Sequence, residues 1–210
     1  MADSTSDRRV VDLQLLGGQL CLDFANTVDW RLSEAPIEWL KTYGDLIAWG
    51  QHAGALEPEQ AQELLRHAER RPEEAAAALQ RALRLRESIY RVFAAVAHEG
   101  TPPAQDLETV NAFLGEAMAQ ARIVFVGGGY VWGWSDQPPL DRVLWPVVRS
   151  AADLLTQGDL GRVRQCAGDP CGWLFLDRSR NRSRRWCAMS DCGNRAKARR
   201  FYRRRRAESK

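Results

Sequence analysis

Four cysteines near the carboxyl end carry the clearest chemistry in this sequence. Four residues separate Cys166 from Cys171, four separate Cys187 from Cys192, and fifteen lie between the two pairs. This C-x4-C-x15-C-x4-C spacing can place four thiolates around a tetrahedral ion of the zinc type, at sulfur distances of about 2.3 Å. A complete sulfur shell leaves no position for water, so the sequence predicts one structural zinc ion per chain. Four reduced buried thiols, two disulfides and an iron–sulfur cluster are the alternatives.

The residues between and after the cysteines predict a scaffold for the ion. Trp173, Phe175 and Asp177 alternate with leucines, as in one arm of a β-hairpin. The segment GNRAKARRFYRRRR has no proline, so Cys192 should lie at a helix N-terminus, where the dipole favours a thiolate. A knuckle, a hairpin and this helix make a treble-clef-like finger. Its core is too small to fold alone, and zinc would contribute roughly 10 to 16 kcal/mol.

The predicted finger is strongly basic. Residues 178–206 contain thirteen basic residues and one acidic residue, Asp191. Because a helix fits the major groove and arginine suits both phosphate and guanine, we expect nucleic acid as the partner, and duplex DNA in particular. The predicted contact residues are Arg180, Arg184 and Arg185 at a hairpin tip, and Arg195, Lys197, Arg199, Arg200, Arg203 and Arg204 on the helix, with Ala198 and Phe201 facing the finger. A solvated charge run is the alternative, and charge alone does not separate DNA from RNA.

Charge is distributed unevenly along the chain. Residues 1–161 carry a net charge of −9 and residues 162–210 carry +12, although the whole chain carries only +3. The acidic part could therefore shield the basic helix until a ligand or partner displaces it. No apolar run approaches the roughly 18 to 20 residues of a membrane span. We see no signal peptide, and we expect a cytoplasmic protein without membrane contact.

The sequence offers no recognisable catalytic set. His52, His67 and His98 fall on unrelated predicted helices without a supporting nucleophile. The run Gly127–Gly129 lacks the pattern of a phosphate-binding loop. We therefore predict a protein that is not an enzyme.

The predicted fold is mainly α with a small antiparallel β element (α+β), followed by the zinc finger. Residues 1–12 should be a flexible lead-in, 13–160 a mainly helical domain and 161–210 the finger. Apolar periodicity and helix-start signals predict this domain's elements. The helices are expected over 20–28, from Pro36, over 46–53 with Asp45 as cap, from Pro58, over 72–98, after Pro103 and over 139–156 with a kink at Pro146, and the hairpin over 122–134. The fifth cysteine, Cys21, should simply pack in the first helix.

Two longer motifs resemble known families. The stretch CGWLFLDRSRNRSRRWCAMSDCGNRAKARR closely resembles the CGNR zinc finger family, whose name is spelled by residues 192–195. Upstream, GGQLCLDFANT, WPVV and AADLLTQGDLGRVRQC are similar to the ABATE-type amino-terminal domain that accompanies this finger in bacterial proteins. The resemblance implies a zinc-bound, treble-clef-like finger in a stress-induced transcription regulator. All four family cysteines find a match, at positions 166, 171, 187 and 192.

A domain attached to a DNA-binding finger should sense a small-molecule ligand, mediate homodimerisation, or both. Large apolar faces for a ligand pocket are offered by Trp30, Trp39, Trp49, Trp132, Trp134 and Trp145, although core packing is their commoner role. Asp23 and Asn26 lie one helical turn apart and could point into such a pocket; buried structural hydrogen bonds are the alternative. Two other functions stay open, an RNA-binding protein and an enzyme whose finger is only a tether.

Overall fold

Seven α-helices and three two-stranded antiparallel sheets form the described part of the chain, residues 9–135 and 139–208 of a computed structural model. The helices are α1 (Leu20–Ala25), α2 (Tyr43–His52), α3 (Pro58–Arg70), α4 (Pro72–Ala97), α5 (Ala104–Gln120), α6 (Leu144–Gln157) and α7 (Asn194–Glu208). The strands are β1 (Val28–Asp29), β2 (Ile37–Glu38), β3 (Ala121–Val126), β4 (Gly129–Trp134), β5 (Val163–Gln165) and β6 (Leu174–Leu176). The mainly helical class with small antiparallel elements is thus confirmed.

Helix α4 is the central element of the core. Pro72 occupies its first turn, where the backbone N–H has no partner within the helix and its absence costs nothing. The negative charges of Glu73 and Glu74 interact favourably with the positive end of the helix dipole. Buried side chains recur along one face, including Leu85, Ile89 and Phe93. This face packs against α1, α2 and α5 and against strand β5 of the basic part.

A partly buried ion network attaches β2 to α4. Arg86 donates to both carboxylate oxygens of Glu38, at 2.6 and 2.7 Å, and also to Glu87 and to the Thr27 hydroxyl. Arg31 donates to the other Glu87 oxygen at 2.6 Å. Nothing in the sequence reasoning identified this network, since its members are spread over 60 residues.

Several predicted boundaries differ from the structure. The predicted helix from Pro36 is wrong: residues 37–38 form β2, because β1 offers backbone partners there. Helix α1 ends at Ala25, before the predicted residue 28. Helix α2 begins at Tyr43, capped by the Thr42 hydroxyl, which accepts the Asp45 N–H at 3.1 Å. Asp45 lies inside the helix, and its carboxylate accepts a hydrogen bond from the Thr42 N–H.

Two further predictions need correction at the ends of elements. Helix α6 begins at Leu144 and not at residue 139, so Pro146 falls in its first turn and no kink is needed. Within the predicted lead-in, residues 1–8 lie outside the described part of the chain. Val10–Asp12 instead form a short 3-10 helix that buries Val10 in the core.

The β3–β4 hairpin was predicted correctly and extends from the helical body. Its register pairs Ile123 with Trp132 and Phe125 with Tyr130. At the base, Trp134 packs on Trp145 with ring centroids 5.5 Å apart. Towards the tip the side chains are exposed, 63% for Phe125 and 78% for Tyr130.

The hairpin β5–β6 completes the core of the preceding helices. Leu174 and Phe175 are fully buried in the same cluster as Leu22, Phe24 and Leu85. The two parts of the chain therefore share one hydrophobic core. A boundary near residue 161 separates the sequence motifs but does not divide this core. None of the helices within residues 9–135 and 139–208 combines the length and apolarity of a membrane span.

Candidate metal centre and nucleic-acid surface

Cys166 and Cys171 flank the turn between β5 and β6. The Cys166 N–H donates to the Trp173 carbonyl at 2.8 Å and the Cys171 N–H to the Gly168 carbonyl at 2.6 Å, which closes the knuckle. A Cβ at Gly168 would lie 2.8 Å from the Cys192 Cβ, so only glycine fits between the pairs. The arm predicted at residues 173–177 is present as β6, but the hairpin predicted between Cys171 and Cys187 is wrong, because the partner strand is β5, which precedes Cys166.

Cys187 and Cys192 approach the knuckle from the other side. The Cys187 N–H donates to the Cys166 Sγ at 3.3 Å. Cys192 lies in a single π-helical turn, Met189–Gly193, that runs directly into α7. The last cysteine therefore sits at a helix N-terminus, as the sequence indicated.

The four sulfur atoms form one compact, buried cluster. All four lie within 4.8 Å of one another. The Sγ atoms of Cys171 and Cys187 are 3.7 Å apart, and those of Cys187 and Cys192 are 3.5 Å apart. A tetrahedral zinc ion with sulfurs at about 2.3 Å has sulfur–sulfur edges of about 3.8 Å. The cluster is therefore suited to zinc, both in its geometry and in its set of soft donors.

The electrostatics of the cluster also fit a cation. Hydrogen bonds from Cys171 and Cys187 lower the pKa of the Cys166 thiol, whereas the bond to Cys166 raises the pKa of both partners. Without a cation, the cluster therefore favours ionisation of one thiol and opposes ionisation of its neighbours, because adjacent thiolates repel one another. A divalent ion removes this conflict and allows all four sulfurs to ionise.

Two donors outside the cluster support thiolate sulfurs. The Gly168 N–H points at the Cys166 Sγ at 3.4 Å, and Arg195 Nη2 donates to the Cys192 Sγ at 2.9 Å. Such outer hydrogen bonds fix the orientation of metal ligands and stabilise their charge. Arg195 also forms an ion pair with Asp191 at 3.3 Å and lies over the Trp30 ring.

Helix α7 carries most of the predicted nucleic-acid residues. It contains eight basic residues, and those from Lys197 onward are exposed. Arg195, Arg199 and Arg203 line a groove of about 350 Å³ beside the knuckle, where Arg199 pairs with Asp169 at 3.3 Å. Lys197, Arg200 and Arg204 flank this stripe.

Two interpretations of α7 are wrong. Ala198 and Phe201 were expected to face the finger, but Phe201 is 56% exposed and Ala198 is exposed as well. Every described side chain from Lys197 to Ala207 is exposed, so this part of α7 buries no apolar face. The acidic part of the chain, as far as residues 9–135 and 139–161 describe it, also does not cover α7, since the helix's arginines and lysine after residue 195 are open to solvent.

The loop before Cys187 places the other three predicted arginines differently. Asp177 accepts the backbone N–H groups of Ser179 and Arg184, which folds the loop back on itself. Arg180 and Arg185 are exposed. Arg184 donates to the carbonyls of Leu16, Trp186 and Cys187 and stacks on Phe175, so its guanidinium is used inside the protein.

Asp23 and Asn26 have internal partners. Asp23 accepts the Gly17 N–H at 2.7 Å, and burial raises the pKa of its carboxyl to about 6. Asn26 exchanges two hydrogen bonds of 2.8 Å with the backbone of Leu174 and so joins α1 to β6. Both side chains serve the structural role that the sequence analysis gave as the alternative to ligand binding.

A cleft of about 320 Å³ lies between the amino-terminal residues and the metal centre. Trp30, Trp39 and Trp173 contribute to its wall, together with Cys171 and Arg195. Of the six tryptophans named from sequence, Trp49 and Trp145 are core residues, and Trp132 and Trp134 line a separate depression. Sequence reasoning missed Trp173 as a cleft residue, because it read that residue only as part of the finger.

Comparison with known families follows the same division of the chain. Residues 18–158 match the ABATE family, which is described as "Putative stress-induced transcription regulator", and residues 162–205 match the CGNR zinc finger. No curated protein matches the chain. Both families are of regulator and zinc-finger type, which favours a protein that is not an enzyme. Since the first match covers more than half of the sequence, the chain belongs to the ABATE family and carries a CGNR zinc finger at its carboxyl end.

Proposed function

We propose that this protein is a DNA-binding transcription regulator whose zinc finger contacts the duplex. One observation carries the proposal. The last of four clustered sulfurs lies in the turn that leads into α7, and α7 presents an exposed basic surface. A metal bound by the sulfurs would therefore fix the direction of a helix that suits a DNA groove.

One zinc ion per chain, held by Cys166, Cys171, Cys187 and Cys192, is the proposed metal. Bound zinc would supply a structural link between the knuckle and α7, since four sulfurs leave no position for a reacting water. All five cysteines lie in described residues and none forms a disulfide. Free thiols are consistent with a reducing compartment, and we propose the cytoplasm.

The proposed contact surface consists of the exposed basic residues of α7 with Arg180 and Arg185. Arg199 and Arg203 would bind phosphate oxygens of the DNA along the groove beside the knuckle. A phosphate there would compete with Asp169 for the Arg199 guanidinium. Lys197, Arg200 and Arg204 would contact the adjoining backbone or base edges. We leave Arg184 out because protein carbonyls already occupy its guanidinium.

The test reverses two charges on α7 and two on a matched helix elsewhere. Arg200→Glu with Arg204→Glu should weaken binding to a duplex of 30 base pairs and flatten the dependence of log affinity on log salt by about 2. Arg66→Glu with Arg70→Glu, the same exposed spacing on α3, should leave both quantities unchanged. Fluorescence anisotropy over a salt series measures them.

The same titrations separate the proposal from its alternatives. Tighter binding to duplex or single-stranded RNA than to DNA would favour the RNA-binding function. If both double variants lost DNA affinity equally, or if neither lost any, the result would contradict α7 as the contact surface.

We further propose that the ABATE part provides the regulatory input. The cleft beside Trp30 and Trp39 supports ligand sensing, since it borders the metal centre and α7 directly. The exposed apolar hairpin β3–β4 supports homodimerisation.

A further inference from the structure

We propose that the cleft between the amino-terminal residues and the zinc finger binds a small organic cation with an apolar body, such as a quaternary or protonated amine. This inference rests on the proposed sensing role and specifies the class of ligand. Two observations carry it: the composition of the wall and a cation already placed on one of its rings.

The wall combines electron-rich rings with negative charge. The indoles of Trp30, Trp39 and Trp173 contribute aromatic surface, and Asp12, Asp29 and Asp191 contribute carboxylates. Among the described residues that line this cleft, Arg195 is the single basic one. Tryptophan faces attract cations through their quadrupole, and carboxylates add a longer-range attraction. An anion or a neutral polar ligand would not match this wall.

Arg195 shows that the ring of Trp30 accepts a cation. Its guanidinium carbon lies 4.2 Å from the Trp30 ring centroid. Trp30 has a backbone φ of 53°, in a turn where its carbonyl accepts the Ser33 N–H at 2.8 Å. Its ring contributes to the cleft wall.

Occupation of the cleft has a direct route to α7. The Arg195 guanidinium connects the Trp30 ring, Asp191 and the Cys192 Sγ. A ligand cation on Trp30 would compete with Arg195, which lies in the first turn of α7. The ligand would therefore act on the base of the helix and not on its outer, DNA-facing residues.

The test uses two probes of the same shape and different charge. Choline carries a quaternary ammonium, and 3,3-dimethyl-1-butanol replaces it with a neutral tert-butyl group. In the full zinc-loaded chain labelled with ¹⁵N-tryptophan, choline should shift the indole signals of Trp30, Trp39 and Trp173 in a saturable way. The signals of Trp132 and Trp134 should stay in place, and the alcohol should bind at least roughly tenfold more weakly.

Variants locate the site. Trp30→Leu and Asp29→Asn should each weaken choline binding by roughly tenfold, with an unchanged melting temperature as the check on folding. Trp132→Leu is the matched control, because Arg149 lies over that ring at 4.4 Å in a depression where Asp153 is the single carboxylate among the described lining residues. It should bind choline as the parent chain does.

Each outcome decides the inference independently of DNA binding. Equal binding of choline and the alcohol would overturn the cationic class. No choline shift in a chain that still binds duplex DNA would overturn the inference and leave the regulator function standing. Loss of binding in Trp132→Leu but not in Trp30→Leu would move the site elsewhere and so contradict it.

Discussion

At the scale of single residues, the buried carboxyl of Asp23 links stability to pH. Burial raises its pKa from 3.8 to about 6, against the opposing effect of the Gly17 N–H. A raised pKa means that the folded protein binds the proton more tightly than the unfolded chain. The contribution of this group to the free energy of unfolding is therefore fully present below about pH 4 and is lost as the pH rises through 6.

Asp23→Asn should remove this pH dependence, since an amide does not ionise but its oxygen still accepts the Gly17 N–H. The free energy of unfolding of the variant, relative to the parent, should rise between pH 4 and pH 7 by at most about 3 kcal/mol. Urea titrations at several pH values measure this difference. Parallel pH profiles for the two proteins would contradict the assignment.

At the scale of elements, the bond between Arg86 and Glu38 holds the β1–β2 sheet on helix α4. Both carboxylate oxygens of Glu38 accept hydrogen bonds from the Arg86 guanidinium, which is nearly fully buried. Glu38→Ala leaves the buried Arg86 guanidinium with only Glu87 and the Thr27 hydroxyl as partners, so it should lower the free energy of unfolding by roughly 1 to 3 kcal/mol. Glu116→Ala, which breaks an exposed pair with Arg81, should cost no more than about 1 kcal/mol in the same denaturation experiment.

In the proposed homodimer, the β3–β4 hairpin is the element that would contact the second copy of the chain. Residues 123–134 carry no charge, and their side chains are exposed on both faces towards the tip. Uncharged apolar surface of this kind is commonly covered by a partner. Phe125→Glu should therefore convert a dimer to a monomer in light scattering, whereas Leu65→Glu on α3 should not. A parent chain that is already monomeric at high concentration would contradict the dimer.

Elements could be predicted from sequence where the signals were local. Pro58 and Pro72 marked helix starts correctly, and the change from helical to alternating period marked β3–β4. The segment at Pro36 was mistaken for a helix, because a proline also suits the approach to a short strand whose partner lies elsewhere. Likewise, spacing alone identified the four cysteines, but the long-range bonds that engage Arg184 have no local signature.

At the scale of the whole molecule, the two halves of the finger should depend on the proposed zinc ion to different degrees. Hydrogen bonds hold strand β6 and its neighbour on the helical part of the chain. Leu174 is bonded to the Asn26 side chain, the Trp173 indole donates to the Val28 carbonyl, and the Leu176 N–H donates to the Gly17 carbonyl. Helix α7 has mainly the adjoining π-turn, the sulfur cluster and the Arg195–Trp30 contact. Loss of the ion should release α7 while β6 stays in place.

Cys187→Ser should therefore abolish metal binding and loosen only the outer half of the finger. Elemental analysis should find no bound zinc, and hydrogen exchange should become fast in residues 187–208 but stay slow in residues 174–176. Cys21→Ala, which removes a thiol outside the cluster, should keep one zinc ion per chain. A full complement of zinc in Cys187→Ser, or uniform exchange throughout residues 163–208, would contradict this division.

The shared core also has a consequence for synthesis on the ribosome. Strand β6 supplies Phe175 to the interior and satisfies the amide of Asn26, which was made almost 150 residues earlier. Until that strand has left the exit tunnel, the nascent helices expose an apolar face and an unpaired amide that water alone must solvate. The helical domain should therefore reach its final packing only after translation has passed the first pair of cysteines.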